Sequence, residues 1–179
     1  MSREDRAAAV VRATAGSALC DLAAVTDEDP SLALASSLRR YVAAAGGLKQ
    51  ALDLALPYER LYWLTFNVSI LTSRAARQLL SRGFAADALP LLVHAVLAVE
   101  NGVNLCLPRF LPWRVELYRL ACAAYVAVGA VPQARVRLLR YRCWEVNGTH
   151  SVSGIMCYTH CRPTICLPRS RRCPRAWRG

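Results

Sequence analysis

The chain has 179 residues, of which 55% are hydrophobic, and a formal net charge of +11. A chain of this length buries enough surface to fold as one domain, so its size requires neither a metal ion nor a disulfide. Alanine and leucine dominate, and β-branched residues rarely alternate with polar ones, which excludes a mainly β fold and predicts an all-α protein.

The positive charge is concentrated near the carboxyl end of the sequence. Lys49 is the only lysine, and residues 146–179 contain six arginines and no acidic residue. A basic segment attracts nucleic acid, acidic membranes or acidic protein surfaces such as tubulin, and charge alone does not choose among them. We expect residues 146–179 to form a disordered basic tail that is rich in cysteine and arginine.

The first residues do not have the pattern of a secretory signal. Glu4 and Asp5 precede any apolar run, so we expect reduced cysteines. The longest apolar run, Ala88–Val99, is interrupted by Pro90 and is far shorter than the roughly 20 residues that span a bilayer. We therefore expect a buried helix in this run and no membrane segment.

Prolines and glycines divide the chain into six or seven predicted helices. Prolines stand where helices begin, and Asp29 is predicted to cap a helix that starts at Pro30. Pro90 is predicted to lie near the first turn of its helix, where a missing N–H costs little. The predicted helices are Ser2–Val25, Pro30–Ala45, Leu48–Leu56, Tyr58–Arg82, Ala85–Glu100, Pro112–Val128 and Pro132–Glu145.

Two stretches of the chain share a helical-hairpin pattern. Aligning Ala88 with Ala134 also aligns Gly83 with Gly129, and this spacing of glycine and alanine is typical of tetratricopeptide-like repeats. The copies are 46 residues apart rather than about 34, so a plain helical bundle remains the alternative to a tetratricopeptide-like α-solenoid. Glycines that follow apolar segments are predicted to be left-handed helix caps at Gly46, Gly47, Gly83, Gly102 and Gly129.

The domain organisation follows from this pattern. We predict amino-terminal helices in residues 1–57, a helical-repeat domain in residues 58–145, and the tail in residues 146–179. A third and weaker copy of the repeat pattern aligns Gly46 and Ala51 with the other two.

A crossing segment separates the two clear copies of the pattern. Pro108 is predicted to keep this crossing extended, and Pro112 to begin a helix with Trp113 in its first turn. Apolar residues occupy two stripes of this helix, so we expect burial on two sides. Its remaining polar residues are Arg114, Glu116 and Arg119.

Several features occur together between residues 58 and 129: a helix ending at Gly83, the apolar stretch Ala88–Glu100, a short apolar crossing, and Leu111–Tyr125. In this order they resemble the amino-terminal helical region of the cilia- and flagella-associated protein 54 family. The most specific element comprises Trp113, Arg114, Leu117 and Tyr118.

Members of that family are very large helical-repeat proteins of the axonemal central apparatus, where they help to build a projection on a central microtubule and support ciliary beating. The resemblance implies a non-enzymatic scaffold in the cilium or flagellum axoneme, with other central-apparatus proteins as partners and microtubules as a further candidate. The chain is far shorter than family members, so we expect a fragment, an isoform or an incomplete gene prediction. The alternatives are a cytosolic helical-repeat adaptor, or metal or nucleic-acid binding through the tail.

The tail contains possible ligands for a metal ion or a nucleic acid. Zinc modules usually present two close cysteine pairs, and the cysteine spacings here match no such module, so we expect no metal. Six arginines with nearby aromatic residues could bind single-stranded nucleic acid, but we expect a solvated tail instead. The residues concerned are Cys143, Trp144, His150, Cys157, Tyr158, His160, Cys161, Cys166, Cys173 and Trp177.

The helical region offers few candidates for catalysis. His94 lies in an apolar stretch and is predicted to be a packed or interface residue. Cys20, Cys106 and Cys122 are predicted to be small apolar fillers. Nucleophilic catalysis needs a thiol or hydroxyl beside a base and an orienting acid, and no such pattern is evident. We therefore predict no enzyme activity, no catalytic, cofactor-binding or metal-binding residue, and no small-molecule substrate.

Overall fold

A computed structural model of the protein describes residues 2–136, and all regular structure in this part of the chain is helical. The prediction of an all-α protein is confirmed. The helices are α1 (Arg3–Glu28), α2 (Ala35–Ala55), α3 (Tyr62–Ser81), α4 (Ala85–Asn101), α5 (Leu111–Ala127) and α6 (131–136). Short 3₁₀ turns occur at Glu59–Leu61, Val103–Cys106 and Pro108–Phe110.

Helix α1 begins with a reciprocal cap and packs one face against α2. The Ser2 hydroxyl accepts a hydrogen bond from the Asp5 backbone N–H at 3.0 Å, and the Asp5 carboxylate accepts one from the Ser2 N–H at 2.9 Å. Two backbone donors at the helix start are thereby satisfied. The buried stripe, at alternating steps of four and three residues, consists of Val11, Ala15, Ala18, Leu22 and Val25.

The connection between α1 and α2 differs from the prediction. Pro30 does not start a helix, because the chain makes a turn here and α2 begins only at Ala35. The predicted cap at Asp29 is also wrong, because the N-cap of α2 is Leu34; the Asp29 carboxylate instead accepts hydrogen bonds within the turn, from the Leu34 N–H at 3.0 Å and the Ser31 hydroxyl at 2.8 Å. These bonds, that of Leu34 first, lower the pKa of Asp29 to about 2. Burial of Leu32 offsets the strain of its left-handed backbone, with φ of 53°.

Helix α2 is continuous where two helices were predicted. Gly46 and Gly47 lie inside it, so the prediction of helix caps at these glycines is wrong. A Cβ atom on Gly47 would lie 2.9 Å from the Cβ of Ala18 on α1, whereas a Cβ on Gly46 would meet nothing within 4 Å. The glycine at position 47 therefore permits a close approach of two helices and does not end one.

The two glycines aligned by the repeat pattern do make equivalent turns. Gly83 has φ of 86° and Gly129 has φ of 78°, both left-handed. In each turn the residue after the glycine donates its N–H to a carbonyl five residues earlier: Phe84 to Leu79 at 2.9 Å, and Ala130 to Tyr125 at 2.8 Å. Both turns are Schellman motifs, so these two predicted caps are confirmed. Gly102 follows α4 but has φ of −81°, so its predicted left-handed cap is wrong.

Packing follows chain order. Helix α1 contacts α2, α3 contacts α4, and α4 contacts α5, while α2 also reaches α3 and α4. Residues 2–136 belong to one compact unit with a continuous apolar core. The division at residue 57 and the solenoid arrangement stay predictions, and the tail lies outside the described residues. The largest fully buried aliphatic side chains are Leu32, Leu48, Leu52, Leu79, Leu92, Leu105 and Leu117.

The apolar run Ala88–Val99 is a buried part of α4, as predicted. Pro90 lies in the second turn of this helix rather than the first. Within residues 2–136, α1 alone is long and apolar enough to cross a membrane by length and composition, with a mean hydropathy of 1.4 over 18 residues. The buried face of α1 packs against α2 in this structure.

Candidate functional site

The crossing between α4 and α5 is shorter and more tightly coiled than predicted. Leu107 is extended, as expected for a residue before proline, but Pro108 itself begins a 3₁₀ turn. The prediction that Pro108 keeps the crossing extended is therefore wrong. Helix α5 begins at Leu111, with Pro112 in its first turn as predicted.

Trp113 joins α5 to α3. Its indole Nε1–H donates a hydrogen bond to the Ser69 Oγ at 2.9 Å. Its ring meets Phe66 edge to face, with ring centroids 6.2 Å apart. Phe66 in turn lies 5.0 Å from Phe110, which precedes α5. The indole is half-buried and anchors the start of α5 by packing and by one directed hydrogen bond.

Arg114, predicted to lie among the polar residues of α5, is buried, with only 3% of its surface exposed. It lines a small cleft with Glu100 of α4 and with Val96, Leu117 and Tyr118. An arginine can pack its aliphatic stem against apolar neighbours in this way while its guanidinium group contacts polar groups. Arg114, Leu117 and Tyr118 of the motif therefore belong to the α4–α5 contact, whereas Trp113 contacts α3.

The three cysteines of the helical region differ in environment. Cys122 is buried, with Sγ 3.7 Å from the Ala134 carbonyl, as expected of an apolar filler. Cys106 is half-buried, and burial raises the pKa of its thiol although the nearby Arg114 cation acts in the opposite direction. Cys20 is exposed, so its predicted role as a filler is wrong.

His94 connects two helices, as the prediction of a packed or interface residue implies. Its Nε2 atom lies 2.8 Å from Oδ1 of Asp53 on α2. The histidine side chain is 21% exposed, against 52% for the aspartate. Sequence reasoning gave no sign of this partner, because the two residues are far apart in the chain.

The most distinctive surface of residues 2–136 combines aromatic residues with arginines. Along α3, Trp63, Phe66 and Ile70 are partly exposed, and the same stripe continues one turn later with exposed Arg74 and Arg77. Residues of α1, of α5 and of the 3₁₀ turn Pro108–Phe110 extend this surface on either side. We call it the arginine–aromatic face, and it consists of Arg12, Arg60, Tyr62, Trp63, Phe66, Ile70, Arg74, Arg77, Arg109, Phe110, Trp113, Glu116 and Arg119.

Arginines stack on the aromatic rings at one end of this face. The Arg12 guanidinium lies 5.0 Å from the ring centroid of Trp63. The Arg109 guanidinium lies 4.8 Å from the ring of Phe110 and 5.9 Å from that of Tyr62. Each of these cation–π contacts contributes about 0.5–1 kcal/mol at an exposed site. They hold the guanidinium groups close to the apolar part of the face.

Carboxylates neutralise only part of this charge. Glu116 accepts hydrogen bonds from both Arg77 and Arg119, and these contacts, that of Arg119 first, lower the pKa of its carboxyl. Arg60 lies 3.6 Å from a Glu4 carboxylate oxygen on α1. Among residues 2–136, Arg12, Arg74 and Arg109 take part in no ion pair. The face therefore keeps a positive charge.

Metal binding finds no support in the helical region, because residues 2–136 contain no cluster of three or more potential His, Cys, Asp or Glu ligands. The tail cysteines and histidines, which were considered as possible ligands and predicted to bind no metal, lie outside the described residues. Arg12, Trp63 and Phe66 were not singled out from the sequence. The helical spacing of Trp63 and Phe66 with Ile70 and Arg74 was the available signal for α3, whereas Arg12 lies on α1 and its place beside Trp63 had no such signal.

The sequence of the chain matches a known protein family. Residues 2–140 match the sequence family described as "Cilia- and flagella-associated protein 54", a range that includes every described helix. The chain belongs to the cilia- and flagella-associated protein 54 family. The predicted family is thus confirmed, and with it an association with cilia or flagella, as the family name states.

Three proteins named cilia- and flagella-associated protein 54 illustrate the relationship. The one from Chlamydomonas reinhardtii is 38% identical over 138 residues, which is 77% of this chain. Those from Homo sapiens and Mus musculus are 30% and 28% identical over 67% and 68% of the chain. The matched region covers 4% of the length of each relative.

The cilia- and flagella-associated protein 54 match is broader than the resemblance recognised from residues 58–129 alone. It adds α1, α2 and Arg12 of the arginine–aromatic face to the family region. Gly46 and Gly47, which lie within this added part, had been predicted to be helix caps. In the structure both glycines lie inside α2, and Gly47 permits the close contact with Ala18 of α1.

Proposed function

We propose that the chain is a non-enzymatic scaffold of the axonemal central apparatus, where it supports assembly of a central-pair projection and ciliary motility. The family match over residues 2–140 is the observation that carries this proposal, because it includes the whole described helical region. Other central-apparatus proteins are the proposed partners, and microtubules are a further candidate. The structure supports a role in packing, since helices present both buried and half-exposed apolar faces.

The proposed arrangement is a tetratricopeptide-like α-solenoid of helical hairpins. Helices α3 and α4 are joined by the Gly83 turn, and α5 and α6 by the Gly129 turn. Because both turns have the same hydrogen-bond pattern, they direct the following helix in the same way. Hairpins that repeat one geometry stack into an extended scaffold, which suits a structural protein.

The absence of catalysis is part of the proposal. A cysteine nucleophile acts as the thiolate, and burial raises the pKa of Cys106 and thereby keeps its thiol protonated. Cys122 is buried beneath α6 and is closed to substrate. His94 contacts a carboxylate on a neighbouring helix, a geometry that suits structural pairing.

Mass spectrometry of isolated axonemes and cell bodies tests the location. Trypsin should release Gly83–Arg109 from the helical region, and Cys143–Arg169 from the tail because Pro163 protects the bond after Arg162. We expect Gly83–Arg109 in salt-extracted axonemes. Detection of this peptide only in cell bodies would contradict the proposal and favour a cytosolic adaptor. Detection of Cys143–Arg169 beside it would establish that the tail is part of the axonemal product.

A further inference from the structure

We propose that the arginine–aromatic face binds an acidic protein segment with apolar side chains at its centre. The binding chemistry follows from this surface itself, whereas the assignment of the segment to another axonemal protein rests on the proposed function. The face is built from three helices and two 3₁₀ turns, Glu59–Leu61 and Pro108–Phe110, so its composition is a property of the folded chain and not of one peptide.

The centre of the face is apolar and already ordered. Trp63 and Phe66 pack one side against the core and leave the other partly exposed, and Ile70 is partly exposed one turn further along α3. Phe110 and Trp113 extend this strip through their ring contacts with Phe66. Aromatic residues and arginine are the side chains most enriched at protein interfaces, because they bury a large area for little loss of conformational freedom.

Arginines border this apolar centre at both ends. At one end, Arg12 lies against Trp63 and Arg109 lies against Phe110. At the other end, the exposed Arg74 follows Ile70 on α3. Along α3, the rise from Trp63 to Arg74 is about 16 Å. A complementary segment therefore carries acidic residues at two places about this far apart, with apolar residues between them.

The ring contacts favour a protein segment over nucleic acid. Single-stranded nucleic acid binds by stacking bases on open aromatic faces. Here the rings of Trp63 and Phe110 are each faced by a guanidinium group, and Phe66 meets Trp113 edge to face. These contacts occupy ring faces on which bases would otherwise stack, so they favour aliphatic side chains over flat bases.

Fluorescence anisotropy with the full chain under reducing conditions tests this proposal. The probe is a labelled helical peptide of about 18 residues, with two groups of glutamates about 11 residues apart and leucine and phenylalanine between them. One comparison peptide has lysine in place of glutamate, and another has serine in place of the apolar residues. An oligothymidylate of about 20 nucleotides tests nucleic-acid binding. We expect measurable binding of the first peptide only, with an affinity that falls as salt concentration rises.

Charge-reversal variants locate the binding site. Arg74→Glu and Arg109→Glu should each weaken binding of the acidic apolar peptide about tenfold. Lys49→Glu makes the same change of charge at an exposed position of α2 outside the face, and should alter the affinity less than about twofold. Circular dichroism and the thermal midpoint should show that all three variants keep the helical fold.

A second pair of variants separates apolar recognition from general charge attraction. Ile70→Glu places a carboxylate in the centre of the face, whereas Leu54→Glu places one at a position of α2 that is 41% exposed. We expect Ile70→Glu alone to abolish probe binding. If the probe did not bind, if Lys49→Glu matched Arg74→Glu, or if the oligonucleotide bound as well as the peptide, the proposal would be overturned. Retained probe binding by a chain absent from axonemes would reject only the proposed function.

Discussion

Helices α1 and α2 pack together through two small residues, whereas α3 and α5 pack together through a large aromatic ring. In the first, Gly47 meets Ala18 so closely that even one added carbon would lie 2.9 Å from its neighbour. In the second, Trp113 fills the space with a large ring and donates a hydrogen bond to Ser69. The first contact is therefore sensitive to added volume, and the second to lost volume.

The strongest test of the aromatic contact is truncation of its anchor. Trp113→Ala should lower the free energy of unfolding by about 3 kcal/mol, because it removes a large half-buried ring. Trp113→Phe keeps much of the packing and loses the bond to Ser69, so it should cost about 1 kcal/mol. Urea unfolding of both variants measures the difference. A cost below about 1 kcal/mol for Trp113→Ala would contradict its role as an anchor.

The contact between Gly47 and Ala18 should instead be destabilised by a larger side chain. Gly47→Leu should destabilise the fold by roughly 1–3 kcal/mol, because its side chain would collide with Ala18. Gly46→Ala is the control, since an added Cβ would meet nothing within 4 Å there and alanine favours helix. That control should gain about 0.5–1 kcal/mol. Thermal unfolding should therefore shift in opposite directions for adjacent glycines, and a shift in the same direction would refute the close-contact explanation.

Substitutions in the two hairpin turns should have a smaller effect on the free energy of unfolding. Gly83→Ala and Gly129→Ala should each cost about 1–2 kcal/mol, because alanine is strained at positive φ. Gly16 lies inside α1 with open space around its Cβ position, so Gly16→Ala should be neutral or stabilising. Similar costs at positions 83 and 129 would support equivalent turns. A neutral Gly83→Ala would show that the turn does not depend on this backbone conformation.

The smallest expected effect concerns pH and the α1–α2 turn. The pKa of Asp29 is about 2 in the folded chain, below its ordinary value of 3.8, so folding favours the ionised carboxylate. This contribution is fully present above the ordinary pKa and is lost as the pH falls through the folded value. Asp29→Asn should therefore differ most from the parent chain near neutral pH. Thermal midpoints of the two chains should converge on acidification from about pH 4 to pH 2, and a constant difference would contradict the assignment.

Local chemistry made part of the fold predictable. A left-handed turn needs glycine, so Gly83 and Gly129 could be placed from their position after apolar segments. The beginning of α5 could be placed to within one residue from Pro112, which lies in its first turn. Both features depend on a few adjacent residues, and the surrounding fold does not change them.

Features that depend on distant residues were not predictable from the same rules. Gly47 has a local pattern like that of a helix cap, and only its proximity to Ala18 explains why it lies within α2. Arg114 is a charged residue among apolar ones, and its burial depends on the cleft formed with Glu100 and Tyr118. The arginine–aromatic face was missed because its members come from separate helices.

The contact between Gly47 and Ala18 also has a genetic consequence. Every single-nucleotide missense change of a glycine codon introduces a larger side chain, so each such change at position 47 adds atoms where none fit. Codon 46 also encodes glycine, yet its substitutions project into open space. Two adjacent codons should therefore show unequal tolerance in a saturation mutagenesis screen, and missense variants should be depleted at the second of them.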